Sequence, residues 1–161
     1  MQLSPLILKT YWVTNISVKA AVPSFSSPQE AAQMLAAAKT DFSTKVQVAK
    51  SNEDPCIWKV TLQLGCRPSE NSSICPYVVD AELVGFFEVD KSVDESKIDD
   101  LVACNGPAVL LGAARELILL ITGRGPLPPF TIPSATFVDM CPSNRKKIDE
   151  KTRPDQVGHP R

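Results

Sequence analysis

A nearly unbroken apolar segment limits the folds that are open to this chain. In the stretch NGPAVLLGAARELILLITGRGPLPPF, residues 105–130, only Arg115 and Glu116 interrupt the apolar run between Pro107 and Ile121. A helix that lies on a sheet buries about one stripe and leaves the opposite stripe in water. This helix has no polar stripe, so we expect part of its surface to need another cover.

The cover that we expect is the same helix of a second copy of the chain, related by a two-fold axis. Burying a large apolar side chain is worth about 1.5–3 kcal/mol, and a side chain that stays in water does not contribute this free energy. The alternative is that shorter helices and the following proline-rich segment cover the helix within one chain. The candidate interface residues are Leu110, Ala114, Leu117, Ile118 and Ile121.

The composition is that of an ordinary single globular domain. The chain has 161 residues and a formal net charge of −1, which argues against nucleic acid or an anionic membrane surface as its main partner. Lys9 interrupts the N-terminal apolar stretch, so we expect no signal peptide. A helix over 107–122 is too short to span a membrane. We therefore expect a cytoplasmic protein without membrane insertion.

The hydrophobic pattern predicts an α+β fold, a four-stranded antiparallel sheet with helices packed on one face, in an oligomer. Alternating apolar residues and turn-rich links favour an antiparallel meander. Ser27 and Pro28 begin a predicted peripheral helix. The predicted strands are 6–20, 44–50, 56–66 and 77–90, and the predicted helices are 28–39, 94–104 and 107–122. We expect a domain over 1–140 and a polar, disordered tail over 141–161.

The sequence offers little for catalysis or cofactor binding. The five cysteines, Cys56, Cys66, Cys75, Cys104 and Cys141, are odd in number and lack metal-ligand spacing, so we expect free thiols in a reducing compartment. His159, the only histidine, lies in the predicted tail, which leaves no credible Cys-His or Ser-His pair. We therefore expect no enzyme and no cofactor.

The segment AARELILLITGRGPLPPFTIPSATF resembles the C-terminal signature of the SecB family of export chaperones. The matching elements are Ala114-Arg115-Glu116, Arg124-Gly125, and the arm from Pro128 to Phe137, in which Thr136 replaces the usual asparagine. The segments IWKVTLQLGC and AELVGFFEV resemble the family's middle strands. The resemblance spans roughly residues 6–139.

This resemblance implies a four-stranded antiparallel sheet with helices on one side, assembled as a dimer of dimers. It implies a chaperone without cofactor or enzymatic activity that holds unfolded polypeptides in apolar grooves and passes them to the SecA ATPase. Such grooves need exposed apolar side chains framed by polar ones. The prolines of the arm cannot join a central strand, so we expect the arm to expose its apolar residues. The groove candidates are Phe25, Phe42, Leu127, Phe130 and Ile132.

The chain departs from the family at the SecA docking face, which is acidic in family members. Asp80, beside Val78, keeps one acidic position, whereas Asn15 and Lys19 occupy two others. We therefore expect weak or absent SecA binding. SecB-like chaperones also serve toxin–antitoxin systems, so the alternative is a dedicated chaperone of one client, such as an antitoxin, without export coupling. Dimer and tetramer both remain open.

Overall fold

Four long strands and one long helix form the fold. The computed structural model describes residues 4–20, 27, 29, 33, 40–69 and 75–144. The elements are β1 (Leu6–Ala20), β2 (Thr40–Lys50), β3 (Ile57–Pro68), β4 (Tyr77–Val89), α1 (Glu95–Thr122) and a 3₁₀ turn (Val138–Met140). Of the helix predicted over 28–39, Gln29 and Gln33 are described and are helical. The rest of that segment and Phe25 lie outside the described residues.

The strands form one antiparallel sheet in the order β1-β4-β3-β2. The predicted meander is confirmed for β2, β3 and β4 but is wrong for β1, which pairs with β4 at the far edge. The reason lies in the connection over residues 21–39, which is much longer than a hairpin loop and lets the chain cross to the opposite edge. The two central strands, β3 and β4, consequently carry the most buried residues.

One face of the sheet packs against α1 and forms the core. Alternate residues of β3 and β4 point to this face, among them Val60, Leu62, Val79 and Leu83, and all four are fully buried. Gly85 lets the helix approach closely, because a Cβ there would lie 2.8 Å from Leu110 Cδ2. The opposite face, which we call the outer face, is more exposed and has more polar residues.

The helix α1 is continuous from Glu95 to Thr122, so the two separate helices predicted here are wrong. Pro107 lies inside it, where a missing N–H costs about 3 kcal/mol. The buried side of α1 runs through both of the helices that were predicted separately. Each large side chain on it contributes about 1.5–3 kcal/mol of burial free energy, and their sum exceeds the cost of the proline. That side consists of Val102, Ala103, Gly106, Pro107, Leu110, Leu111, Ala114, Ile118 and Thr122.

The length of α1 also changes the membrane argument. With 28 residues, α1 is long and apolar enough to cross a membrane by length and composition, so the expectation that it is too short is wrong. One side of α1 nevertheless packs against the chain's own sheet, as the core helix of a globular protein does.

The proline-rich segment after α1, which we call the arm (residues 126–141), runs back along the helix. Phe130 lies near Thr122, Ser134 near Arg115, and Cys141 against Cys104. The arm does not expose its apolar residues as expected, because Leu127 is 7% and Ile132 is 2% exposed. These side chains, with Phe137, belong to the main core cluster. Packing therefore continues to Cys141, and residues 145–161 lie outside the described residues.

Candidate functional site

A partly exposed apolar strip lies on the helix side of the sheet along the edge strand β2. Phe42, Val46 and Val48 pair in register with the buried residues Cys66, Leu62 and Val60, and therefore face the same side of the sheet. Phe42 and Val48 are each 37% exposed. Phe130 of the arm stacks on Phe42, with ring centroids 6.1 Å apart. We call these four residues, Phe42, Val46, Val48 and Phe130, the β2 trough.

The backbone of β2 adds a second means of binding beside this apolar strip. Within the part of the chain that the structure describes, β2 pairs with β3 alone. The other edge of such a strand presents N–H and C=O groups that can pair with an extended peptide. Backbone pairing does not depend on the sequence of the peptide, and the apolar strip can bind any apolar side chains that reach it. The geometry therefore suits extended, apolar polypeptide segments of many sequences.

Hydroxyl groups fix the position of Phe130 in the trough. The Thr122 hydroxyl donates to the Ile118 carbonyl at 2.7 Å and accepts a hydrogen bond from the Phe130 amide at 3.0 Å. The Tyr77 hydroxyl lies 2.9 Å from the Leu127 carbonyl oxygen, to which it donates. The Tyr77 ring also packs 6.0 Å from that of Phe130. The start of the arm is thus tied to the end of α1 and to β4.

The structure brings together some of the predicted groove residues and separates others. Phe42 and Phe130 lie together in the trough, whereas Leu127 and Ile132 are buried in the core and are not accessible while the arm is seated. Val46 and Val48 were not among the candidates. The signal that could have found them is their alternation with Lys45 and Gln47, which places both valines on one face of the strand.

The outward side of α1 is a second exposed apolar surface. Of the predicted interface residues, Leu110, Ala114 and Ile118 are buried against the chain's own sheet, which corrects their expected place on a surface. Leu117 is half-buried and Ile121 is exposed. Four large apolar side chains of α1 are exposed, and we call them the α1 stripe: Val109, Leu119, Leu120 and Ile121. Within the described residues, no segment covers this stripe.

The outer face of the sheet carries acids that are matched with donors. Asp80, which pairs in register with Ser17, forms a salt bridge with Arg67. Glu82 accepts hydrogen bonds from Thr14 Oγ1 at 2.7 Å and Gln63 Nε2 at 2.6 Å. These two bonds hold the pKa of Glu82 below its usual value.

Lysine side chains share this face with the acids. Lys19 pairs in register with Val78, and Asn15 with Glu82, which places both beside the residues of the predicted docking face. Lys9 forms an ion pair with Glu88 at 2.7 Å. The outer face is therefore of mixed charge rather than acidic.

The cysteines differ from the expectation of five free thiols. Cys104 and Cys141 form a disulfide with a Cα–Cα distance of 5.8 Å, and Cys56, Cys66 and Cys75 are free. The two bonded residues are 37 positions apart in sequence and meet because the arm returns along α1. Burial and the neighbouring Cys75 raise the pKa of the Cys66 thiol to about 12, so Cys66 stays a neutral thiol.

Comparison with known proteins gives a consistent result. The family model described as preprotein translocase subunit SecB matches residues 8–147. A protein-export protein SecB from Granulibacter bethesdensis is 24% identical over 153 residues, 92% of this chain and 86% of that protein. One from Hyphomonas neptunium is 24% identical over 97 residues, 60% of this chain and 57% of that protein.

A solved structure has a similar fold. It is a SecB-like chaperone of Mycobacterium tuberculosis in complex with a ChAD peptide from the HigA1 antitoxin. The TM-score is 0.57 at 17% sequence identity, and the match covers 80% of this chain and 89% of the other. The likeness supports the fold of one sheet with a helix packed on it.

Proposed function

The chain belongs to the SecB family, and we propose that it is a chaperone that holds unfolded polypeptides in the β2 trough and keeps them competent for protein export. The observation that carries this proposal is the apolar strip beside an edge strand, with Phe42 and Val48 each 37% exposed. Holding a chain requires no covalent chemistry, so the proposal includes neither a cofactor nor enzymatic activity. It includes the cytoplasmic location expected from the sequence.

The energetics require several weak contacts to act together. Burying one apolar side chain of a client yields about 1.5–3 kcal/mol, while immobilising a chain costs about 4–15 kcal/mol. One trough of four side chains is therefore near the limit of useful affinity. Backbone pairing along β2 adds to it, and troughs repeated in an oligomer raise the effective concentration for a long client.

Aggregation of a denatured model protein tests the role of the trough. We expect Phe42→Ser to weaken the suppression of aggregation several-fold, because it removes the exposed ring that stacks on Phe130. Ile7→Ser is the matched control, since Ile7 is a similarly exposed apolar residue on the outer face. Equal loss of suppression in both variants, or in neither, would contradict binding in the trough.

A dedicated chaperone of one client is the second candidate function. The observation in its favour is that the structurally similar chaperone from Mycobacterium tuberculosis is bound to a peptide of an antitoxin. Several unrelated proteins, each reduced and denatured, distinguish the two. Suppression of aggregation for all of them supports the general export chaperone, and suppression for none supports the dedicated one.

Docking to SecA is the step that we expect to be weak or absent. The outer face carries Lys19 and Asn15 next to Asp80, and Asp80 is already paired with Arg67. A partner surface that fits the acidic docking face of family members therefore meets mixed charge on this chain. Isothermal calorimetry with SecA should show no binding at micromolar concentrations, and association at micromolar affinity or tighter would refute this expectation.

Self-association completes the proposal. The α1 stripe exposes four large apolar side chains on one helix, and burying each is worth about 1.5–3 kcal/mol. A second copy related by a two-fold axis brings the same stripe against itself, which is the simplest way to cover it. We propose a dimer through this stripe, with a dimer of dimers as the further assembly, and the mass of the particle in solution tests it.

A further inference from the structure

The arm is attached to the rest of the molecule at two widely separated places. At its start, Tyr77 and Thr122 hold it through hydrogen bonds to Leu127 and Phe130. At its end, the Cys104–Cys141 disulfide joins it to the middle of α1. Just beyond, the Ser143 amide donates to Asp100 Oδ1 at 3.0 Å. At this end the disulfide adds to packing, since Phe137 belongs to the core cluster and Met140 packs against it.

The middle of the arm is held more lightly than its ends. Residues 128–137 have no regular secondary structure, and most of them are exposed. Three of them, Pro128, Pro129 and Pro133, have no N–H to donate. Beyond Phe130, this segment is held by the burial of Ile132 and Phe137 and by a hydrogen bond from Arg115 to Ser134 at 3.1 Å. Without the disulfide, its seating depends on these non-covalent contacts.

We propose that Cys104 and Cys141 are a reversible oxidation site that latches the arm onto α1. A disulfide in a protein of a reducing compartment is usually transient or redox-sensing rather than structural, and the reducing compartment rests on the proposed function in the cytoplasm. The latch is closed when the disulfide is formed, with Ile132 and Phe137 seated. Reduction removes this covalent tie, so that the arm beyond Phe130 is held by the burial of Ile132 and Phe137 and by its hydrogen bonds and opens more often.

The chemistry is thiol–disulfide exchange with a low-molecular-weight disulfide such as oxidised glutathione. Cys104 is the more exposed of the two cysteines, so its thiolate attacks one glutathione sulfur and releases one glutathione thiolate. The Cys141 thiolate then attacks Cys104 Sγ in the mixed disulfide and releases the second. The two protons of the protein thiols end on the two glutathione molecules, and two electrons pass from the protein to glutathione.

Opening the latch enlarges the apolar surface that is available to a client. Ile132 and Phe137 leave the core cluster, and the side of α1 beneath them becomes accessible. This surface is continuous with the β2 trough through Phe130, which stays anchored by Thr122. The reduced protein should therefore bind unfolded polypeptide more tightly than the oxidised protein.

Mass spectrometry and hydrogen exchange on the full chain test the latch without any client. After treatment with oxidised glutathione, alkylation should spare Cys104 and Cys141 and label Cys56. Addition of a reductant should expose both thiols and speed the amide exchange of residues 131–141 by about tenfold or more, with β3 and β4 unchanged. The Cys104→Ser/Cys141→Ser variant should exchange like the reduced protein under both conditions, and Cys56→Ser should respond like the wild type.

Two results would overturn the latch. One is that both thiols stay open to alkylation in oxidised glutathione, and the other is that the arm exchanges equally in the two states of the wild-type protein. Because the wild type itself is compared, a folding defect in the serine variant does not affect this outcome. A change in arm exchange without a change in client affinity would support the latch and count against client binding next to the arm.

Discussion

Tyr77 and Thr122 show how single side chains determine the shape of the candidate site. Both are buried, and their hydroxyl groups hydrogen-bond to backbone atoms of the arm. As a result, Phe130 lies against Phe42 rather than in solvent. The sequence indicated the aromatic residues as groove candidates, but it could not indicate these two hydroxyls, because their partners are backbone atoms brought near by the fold.

We expect Tyr77→Phe to lower the free energy of unfolding by about 0.5–1.5 kcal/mol, the usual contribution of one hydrogen bond. The ring stays in place, so the loss reports the hydroxyl alone. Urea denaturation measures it, and hydrogen exchange should rise first at Leu127. Tyr11→Phe is the control, since Tyr11 is exposed. An equal effect of both substitutions would refute the role assigned to the Tyr77 hydroxyl.

The cysteines mark the limit of what residue types alone can predict. Five cysteines without metal-like spacing suggested free thiols, and this holds for Cys56, Cys66 and Cys75. The pairing of Cys104 with Cys141 depends on the path of the arm back along α1. Local patterns do not encode that path, because the arm has neither a helical nor a strand period and its direction is set by where Leu127, Ile132 and Phe137 find space in the core.

At the scale of elements, local patterns predicted the strands better than the helices. The strands β3 and β4 alternate because one face of each is buried, with an exception at Val84 of β4, which is buried as well. The Asn105-Gly106-Pro107 sequence is a normal local signal for a helix boundary, yet α1 runs through it. Gly106 and Pro107 lie buried on the sheet, and a Cβ at Gly106 would lie 2.9 Å from Val60 Cγ2. Tertiary packing overrides the local signal there.

The start of α1 makes a prediction about pH. Asp94 is the N-cap, and its carboxylate accepts hydrogen bonds from the Ser96 amide at 3.0 Å and the Ser96 hydroxyl at 2.8 Å. These bonds hold the pKa of Asp94 below its ordinary value of 3.8. A lowered carboxylate pKa stabilises the fold above the unfolded-state value, and this stabilisation is lost as the pH falls through the folded-state pKa.

We therefore expect the free energy of unfolding of Asp94→Asn to fall less on acidification than that of the wild type. Asparagine also caps helices well, so the variant should be close to the wild type near pH 7 and should lose less stability between about pH 5 and about pH 3. Urea midpoints at several pH values measure the difference. Parallel pH profiles for the two proteins would contradict the assignment.

At the scale of the whole molecule, the sequence predicted the fold class and the family. The resemblance in the arm and the middle strands agrees with the family match over residues 8–147. The order β1-β4-β3-β2 was not predicted, because strand patterns identify buried faces but not neighbours. The apolar helix also proved to have two roles, since one side forms the core and the other remains as the α1 stripe.

The oligomeric state tests most directly the central claim that one chain leaves apolar surface for other chains to cover. Leu120, on the α1 stripe, is 53% exposed, and Val138, outside it, is 51% exposed, so Leu120→Asp and Val138→Asp are matched substitutions. Light scattering after size-exclusion chromatography should give the wild type and Val138→Asp at least twice the mass of one chain, and Leu120→Asp a smaller particle at the same concentration. A wild type that stays monomeric at every concentration tested would contradict the account.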